Sequence, residues 1–413
     1  MTATLGRQLH ARALQSRADA RHSEYLADLS ALVAIDSGSY SPDGVNRVAA
    51  WFDARLQRIG FTTERTEVPR HRGRSLGDVL VARKQGSLSA SADGRRILLA
   101  GHMDTVFDDG TAAARPFILA GSLAHGPGVS DDKGGLLAGL TALEILQEAG
   151  FHQYAELVFL ATPDEEIGSP GSSEVTRQTA RDMHYALALE CARENGDIVI
   201  ARKGVADFLI TVTGRAAHAG IEPERGAHAA LAAAHLTLGL QALNGQWDDA
   251  TVNVGIVRAG TRANIVPSQA ELHVEVRGAT AATLQRIRSS IHELASRTEV
   301  SGTTAHVQQL DLCPPMEDTP ASHRMFELAR AEGRKLGLEF GAAATGGVGD
   351  ANTIAGTGVP VLDGLGPVGG ADHTPEEWLD TDSIAPRIAL LASLIVVLAD
   401  NRNDRNPVPT SQP

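Results

Sequence analysis

Five side chains of metal-binding type stand at the ends of predicted strands or beside a predicted helix. They are His102 in GHMDTV, Asp131 in GPGVSDDKGG, Glu166 in ATPDEEIGS, Glu190 in YALALE and His373 in GGADHTPEEW. Imidazole nitrogens and carboxylate oxygens together suit zinc, cobalt or manganese rather than an all-oxygen calcium site. The five side chains form a complete ligand set for two metal ions that share one carboxylate.

Short apolar runs before these residues predict the strands that position them. ILLA precedes His102, LVFLAT precedes the Asp-Glu-Glu run at 164–166, ALAL precedes Glu190, and PVLDGLG precedes the loop of His373. Runs of this length and composition are typical of buried parallel strands. Ligands of an open α/β sheet bind beyond the carboxyl ends of its strands, so we expect these residues to converge. Asp131 ends a glycine-rich loop before the helical pattern LLAGLTALEILQEAG.

Each motif taken alone also occurs in ordinary loops. His-x-Asp is commonly a loop hydrogen bond, and Asp-Glu-Glu is commonly a solvated turn. The conjunction of five ligand-type residues at element ends favours the metal site. Cys191 and Cys313 stand at no metal-binding spacing, which excludes a thiolate cluster and a disulfide framework.

The motifs GHMDTV, GPGVSDDKGG and DEEIGS resemble those of the co-catalytic di-zinc peptidase superfamily. This superfamily includes acetylornithine deacetylase, succinyl-diaminopimelate desuccinylase, aminoacylases and the bacterial glutamate carboxypeptidases. The matching motifs span positions 35 to 378. The nearest branch is that of the glutamate carboxypeptidases.

The resemblance implies two zinc ions per subunit, for which cobalt or manganese can substitute. One ion would be held by His102, Asp131 and Glu190, and the other by Asp131, Glu166 and His373. Asp131 would bridge the two ions, and the peptide bond that follows it would be cis.

The resemblance also assigns roles to two further carboxylates. Asp104 would orient the imidazole of His102 and raise its basicity. Glu165, the first glutamate of its pair, would stay off the metal and act as the general base.

The fold implied is an α/β zinc-peptidase catalytic domain interrupted by a ferredoxin-like insert. From Lys203 the pattern reads strand, helix, strand, strand, helix and strand, which is the βαββαβ order. We therefore predict a catalytic domain in residues 1–202 and 314–413, with a lid and dimerisation domain in residues 203–313. A regulatory or dimerisation module without a catalytic part is the alternative for the insert.

Three residues of the insert match functional positions of the superfamily. They are His218 in GRAAHAG, Asn264 in GTRANIVP and Arg277 in HVEVRG. The resemblance implies that His218 stabilises the oxyanion and that Asn264 and Arg277 hold the substrate carboxylate. It also implies a homodimer in which His218 serves the active site of the partner subunit.

Composition limits the partners. The chain has 413 residues, a length that favours two domains. Its formal net charge of -13 argues against nucleic acid as a partner. No run approaches the length and apolar content of a membrane span, and the N-terminal region lacks the apolar segment of a secretory signal. A cytoplasmic location follows as an expectation.

Three activities remain open at this point. The first is a zinc carboxypeptidase that releases a C-terminal amino acid from a small peptide. The second is an N-acyl amino acid deacylase that uses the same machinery. The third is a catalytically silent metal-binding relative, against which Glu165 argues. Cys313-Pro314 stands where the carboxypeptidase branch has Arg-Pro, so a preference for glutamate is not implied.

Overall fold

The protein is described by a computed structural model that covers residues 10–90, 94–297 and 299–401. The chain divides into two compact units. Unit 1 contains residues up to 200, 318–344 and from 349 onward, and unit 2 contains 201–317 and 345–348. The predicted insert, 203–313, falls inside unit 2. The structure adds the short segment 345–348, which lies far along the chain from the rest of the insert.

Unit 1 has a mixed six-stranded sheet at its centre. Its strand order is β1-β2-β6-β3-β7-β14. The strands are β1 (Thr62–Thr66), β2 (Val79–Gln85), β3 (Arg96–His102), β6 (Glu156–Thr162), β7 (Tyr185–Ala188) and β14 (Val361–Leu362). β6, β3, β7 and β14 run parallel, whereas β1 and β2 are antiparallel additions at one edge. Three of the parallel strands carry the predicted ligands at their carboxyl ends.

A smaller antiparallel sheet in unit 1 has the order β15-β16-β5-β4. Its strands are β4 (Ile118–Ala120), β5 (Leu123–His125), β15 (Gly369–Gly370) and β16 (Trp378–Asp380). β16 pairs with β5, so the loop of His373 is joined to the segment that leads to Asp131. Two further strands, β8 (Ile198–Arg202) and β13 (Ala342–Thr345), pair with each other.

Eight helices belong to the part of unit 1 that the structure describes. They are α1 (Ala11–Val33), α2 (Pro42–Arg58), α3 (Thr111–Ala114), α4 (Lys133–Glu148), α5 (Ser173–Ala180), α8 (Pro320–Lys335), α9 (Asp350–Ala355) and α10 (Thr381–Asp400). The sheet and the longer helices α1, α2, α4, α8 and α10 bury one large apolar cluster, to which Phe52, Leu140 and Phe159 belong.

α10 corrects the expectation that no segment could span a membrane. The helix is 20 residues long and apolar enough to cross a bilayer by length and composition. In the structure, 78 % of its most apolar stretch is buried. Its apolar side chains pack in the core of unit 1, which is the ordinary place of such a helix in a globular domain.

Unit 2 is a four-stranded antiparallel sheet with the order β10-β11-β9-β12. The elements are β9 (Gly204–Thr213), α6 (Ala229–Gln241), β10 (Ala250–Ala259), β11 (Gln269–Gly278), α7 (Ala281–Ser296) and β12 (Thr304–Cys313). This is the predicted βαββαβ order of the ferredoxin-like fold. Alternate residues of β9 and β11 are buried beneath the two helices, as expected for a sheet covered on one face.

A buried carboxylate links three helices of unit 1. Glu144 on α4 accepts hydrogen bonds from Arg21 on α1 at 2.8 Å and from Nε of Arg55 on α2 at 2.9 Å. Its side chain is 8 % exposed, while that of Glu148, one turn further on, is 49 % exposed. Arg21 also pairs with Glu148.

We expect Glu144→Ala to destabilise the protein by about 1.5–3 kcal/mol, because Arg21 and Arg55 lose their most buried acceptor but keep Glu148 and Asp28. Glu148→Ala is the matched control and should cost less than about 1 kcal/mol, since the Glu148 carboxylate is half exposed and Arg21 keeps Glu144. Urea unfolding of both variants measures the difference. Equal, small effects would show that Glu144 contributes no more than a surface charge.

Candidate metal and catalytic centre

Three neighbouring parallel strands bring four of the candidate residues to one edge of the large sheet. His102 is the last residue of β3, and Glu165 and Glu166 lie in a short 3₁₀ turn, Glu165–Ile167, just after β6. Glu190 lies two residues beyond β7. β3 lies between β6 and β7 in register, with His102 opposite Thr162 and Ala100 opposite Ala188. The common direction of these strands therefore places the side chains together.

Asp131 lies between two groups of potential metal ligands. His102, Asp131 and Glu190 form one group, and Asp131, Glu166 and His373 form the other, with the ligand atoms of each group within 4.8 Å of one another. Asp131 Oδ1 is 2.8 Å from Nε2 of His102, and Asp131 Oδ2 is 3.2 Å from Nε2 of His373. Each carboxylate oxygen thus faces a different imidazole.

The remaining distances complete the two groups. His102 Nε2 lies 3.6 Å from Glu190 Oε1, and His373 Nε2 lies 3.0 Å from Glu166 Oε2. The peptide bond between Asp131 and Asp132 is cis, as the resemblance implied. The structure therefore brings together all five predicted ligands in the predicted pairing.

The charges at the site favour a cation. Hydrogen bonds with Asp131 and Glu166 raise the pKa of His373 to about 11. Burial raises the pKa of Glu166, and the charge of Asp131 adds to that effect. A divalent ion would neutralise these crowded carboxylates at short range, and its binding would release the imidazole protons. The donors present, two imidazoles and three carboxylates, fit a divalent metal ion in each group.

Asp104 is fully buried and contacts both halves of the site. Its Oδ1 is 3.3 Å from Nδ1 of His102 and accepts the backbone N–H of Glu165 at 3.1 Å. Its Oδ2 accepts the backbone N–H of Glu166 at 3.2 Å and the hydroxyl of Ser39 at 2.6 Å. Nδ1 of His102 also lies 3.0 Å from the Asp104 carbonyl oxygen, which leaves Nε2 facing the ligand group. The same carboxylate thus fixes a ligand ring and the turn that carries the proposed base.

Glu165 belongs to neither ligand group. Burial raises the pKa of its carboxyl above the ordinary range, with the charge of His102 opposing this and that of Glu190 adding to it. A carboxylate of raised basicity beside two metal-ligand groups has the properties that a general base requires.

Glu377 is a site residue that the sequence reading missed. It is 1 % exposed, and its carboxylate accepts backbone N–H groups of Gly128 at 2.9 Å, Ser130 at 2.9 Å and Asp131 at 3.1 Å. Burial raises the pKa of Glu377 to about 7. The side chain therefore holds the loop that presents Asp131. Only its place in GGADHTPEEW, near His373, hinted at a role.

We expect Glu377→Gln to weaken metal binding by about 10- to 100-fold, because an amide NH₂ would face backbone N–H donors. Activity should fall at limiting metal and recover at high metal concentration. Glu376→Gln, at the exposed neighbouring position, is the control and should leave both properties unchanged. Metal titration followed by kcat/KM at each concentration tests this. An unaltered affinity in Glu377→Gln would show that the loop keeps its shape without the carboxylate.

His373 has an unusual backbone conformation. Its φ is 65°, and that of Ala371 is 55°. This left-handed region is uncommon for residues other than glycine and is found disproportionately at functional sites. Hydrogen bonds from the N–H and hydroxyl of Thr374 to the Ala371 carbonyl hold the loop.

In unit 2, His218 and Asn264 lie on two loops that pair with each other. His218 forms a backbone bridge with Ile265, and the N–H of Ala219 donates to the Asn264 carbonyl. Nδ1 of His218 accepts the N–H of Gly220 at 3.1 Å, so a neutral ring carries its proton on Nε2. Both side chains are exposed.

Arg277 already has partners within unit 2. Its Nε and Nη2 donate to Glu275 at 2.9 and 3.3 Å, and its Nη1 donates to the Gly346 carbonyl at 2.7 Å. A substrate carboxylate at Arg277 would therefore compete with Glu275. The hydrogen bond to Gly346 also explains why segment 345–348 belongs to unit 2.

A known protein family matches the part of the chain that contains these site residues. The family model described as peptidase family M20/M25/M40 matches residues 98–396, which include all five ligand candidates. The chain belongs to peptidase family M20/M25/M40. It is a metallohydrolase, and the family match and its relatives support action on peptide or amide bonds.

Relatives of this M20 peptidase include both peptidases and deacylases. The chain is 30% identical to carboxypeptidase G2 of Pseudomonas sp. (strain RS-16), over 90% of this chain and 88% of the relative. It is 28% identical to acetylornithine deacetylase of Proteus mirabilis (strain HI4320), over 85% and 88% of the two chains. The solved structure of aminopeptidase PepT from Bacillus cereus ATCC 10987 matches with a TM-score of 0.76 at 23% identity, over 92% and 99%. That structure shows that the fold is shared.

Proposed function

We propose that this protein is a zinc-dependent carboxypeptidase-type hydrolase that releases a C-terminal amino acid from an acyl or peptidyl group. The observation that carries the proposal is the shared Asp131 carboxylate between two ligand groups, with Glu165 beside them and in neither group. The 30% identity to carboxypeptidase G2 over nearly the whole chain supports it.

The proposed chemistry divides between metal and protein. Two bound zinc ions would polarise the scissile carbonyl and lower the pKa of the attacking water. Glu165 accepts the proton of that water and returns it to the leaving nitrogen. His218 donates from Nε2 to the oxygen of the tetrahedral intermediate, a role that its hydrogen bond with Gly220 supports.

A deacylase of N-acyl amino acids is the second candidate. The similarity to acetylornithine deacetylase favours it. Both reactions break an amide bond to the nitrogen of an amino acid, so the two ligand groups serve either equally well. They differ only in the group on the acyl side of that bond.

The released amino acid is proposed to bind through its carboxylate. Asn264 and Arg277 would hold it, since a guanidinium fork matches a carboxylate with two hydrogen bonds. The pair of Arg277 with Glu275 is partly exposed, with both side chains at 34–41% exposure. An exposed ion pair contributes little stability, so an incoming carboxylate can replace Glu275.

One substrate panel tests the proposal and separates the candidates. The zinc-loaded protein is assayed on a dipeptide, an aminobenzoyl-type conjugate and a simple N-acyl amino acid, each also as its C-terminal amide. Hydrolysis of free acids and not of amides supports carboxylate recognition. Equal kcat/KM for acids and amides would remove Asn264 and Arg277 from substrate binding. Absence of any hydrolysis would refute the proposed function.

We also propose that the protein is a homodimer joined through unit 2. β10 and β12 are the edges of its sheet, and β10 exposes Ile256 and Val257. α6 exposes Leu231 and Leu238 two turns apart on one face. An exposed edge and an apolar helix face can pair with the same surfaces of a symmetry mate.

In such a dimer, His218 is expected to act on the site of the partner subunit. Mixing inactive His218→Ala with inactive Glu165→Gln protein should then restore activity, because one site of each mixed dimer keeps both groups. Recovery should approach about a quarter of wild type after random exchange of subunits. Lack of recovery after confirmed exchange would show that His218 serves its own subunit or none.

A further inference from the structure

A basic hairpin projects from unit 1 between β1 and β2. This arginine hairpin, residues 68–77, turns at Arg72 and Gly73, whose φ values are 48° and 78°. The backbones of His71 and Arg74 exchange hydrogen bonds of 3.0 and 2.9 Å across the turn. Arg70, Arg72 and Arg74 are exposed. The turn is thus a fixed structure that presents three guanidinium groups.

Both ends of the arginine hairpin rest on the segment that carries Glu165 and Glu166. A Cβ placed on Gly171 would lie 2.8 Å from Cγ2 of Val68, and one placed on Gly77 would lie 3.3 Å from Cβ of Pro163. Val68 and Gly77 therefore touch the two ends of the turn 163–171. The hairpin therefore packs against the stretch of chain that carries Glu166.

Tyr40 contacts the arginine hairpin and directly follows a residue that binds Asp104. The guanidinium carbon of Arg74 lies 3.9 Å from the centre of the Tyr40 ring, and His71 stacks near the same ring. Ser39, the preceding residue, donates its hydroxyl to Asp104. The stack holds Arg74 in place, because a cation over the face of an aromatic ring is attracted to it.

In the described part of the chain, these three arginines lack the acidic partners that several other arginines have. Arg21, Arg55 and Arg277 form ion pairs with glutamates. Within residues 10–90, 94–297 and 299–401, no carboxylate lies within ion-pair distance of Arg70, Arg72 or Arg74. Arg70 instead donates to Ser75 Oγ and to the Gly73 carbonyl, inside the hairpin. In a chain of net charge -13, this is a local positive surface.

We propose that the arginine hairpin binds an anionic group on the acyl part of the substrate, so that the enzyme prefers acidic acyl or peptidyl groups. The inference rests on the proposed function, in which Asn264 and Arg277 take the carboxylate of the released amino acid. The hairpin provides a separate cationic site, on the unit that carries the metal ligands. Guanidinium groups suit a carboxylate there because they present paired donors.

The test compares two acyl groups that differ only in charge. N-Succinyl and N-succinamoyl derivatives of one amino acid are hydrolysed by wild type and by the triple variant R70Q/R72Q/R74Q. Wild type should favour the succinyl substrate, mainly through KM. The triple variant should lose about five- to twentyfold of that preference, with the succinamoyl rate unchanged. High salt should reduce the wild-type preference in the same way, because exposed charges are screened.

Arg12→Gln is the control, because Arg12 is an exposed arginine on the outward face of α1. It should leave the succinyl preference intact. A preference that is equal in wild type and the triple variant, or that falls equally in Arg12→Gln, overturns the inference while leaving the proposed function standing. Failure to hydrolyse the succinyl substrate, by protein that does hydrolyse the dipeptide or the aminobenzoyl-type conjugate, also overturns the inference and leaves the proposed function standing, whereas failure on the whole panel refutes the proposed function.

Discussion

Glu165→Gln is expected to lower kcat by about 10² to 10⁴ while the protein still binds two metal ions. The amide cannot accept the proton of the attacking water, but Glu165 belongs to neither ligand group, so metal binding should persist. Stopped assays at saturating substrate, combined with elemental analysis of the same samples, measure both quantities.

The neighbouring variant Glu166→Gln is the matched control for this experiment. Glu166 Oε2 lies 3.0 Å from His373 Nε2 within the second ligand group, so its loss should reduce the metal content. Wild-type turnover in Glu165→Gln would assign Glu165 a structural role. A loss of metal equal to that of Glu166→Gln would make it a ligand instead.

Asp131→Ala should abolish binding of both metal ions and lower activity by about 10³-fold or more, since the metals supply several kcal/mol of transition-state stabilisation. The reason is geometric: its two carboxylate oxygens face the two different imidazoles. Activity of the wild type should be lost with a chelator and restored by zinc or cobalt. The variant should not respond to either metal.

Glu190→Ala and His373→Ala are the controls for the shared ligand. Each belongs to one group, so each variant should retain about one ion per subunit, by the ligand count of its intact group. Retention of one ion in Asp131→Ala would show that the two groups bind independently, without a shared carboxylate.

The ligand set could be predicted because each residue follows a strong local pattern. Buried parallel strands are apolar runs, and their carboxyl ends meet at one edge of the sheet, so His102, Glu166 and Glu190 could be placed from sequence. Family resemblance supplied the pairing through Asp131. The order of elements in the insert could also be predicted, because the spacing of its apolar residues changes between the two-residue period of strands and the 3.6-residue period of helices.

Glu377 could not be predicted because its partners are backbone groups. Gly128, Ser130 and Asp131 lie about 250 positions earlier, and no side-chain type marks a backbone N–H donor. The contact between Glu275 and Arg277 is easier to predict from sequence. Residues two apart on a strand share a face, so their contact follows from the period of β11.

Tertiary contacts also decided the two other differences from expectation. Gly346 belongs to unit 2 because its carbonyl accepts a hydrogen bond from Arg277. The composition of residues 345–348 does not predict this contact. By length and apolar content alone, α10 could cross a membrane. Only the sheet and helices packed around it show that its apolar surface is satisfied within the protein.

The position of the insert within the chain sets the order in which a ribosome can deliver the active centre. A nascent chain that has reached the end of the first catalytic segment holds His102, Asp131 and Glu190 but neither His373 nor Glu377. Domains tend to fold as their residues emerge, so unit 2 can fold before these last contributors exist. Glu377, which holds the Asp131 loop, and His373 of the second ligand group are therefore added only near the end of translation. Chains truncated before residue 373 should therefore accumulate without hydrolytic activity.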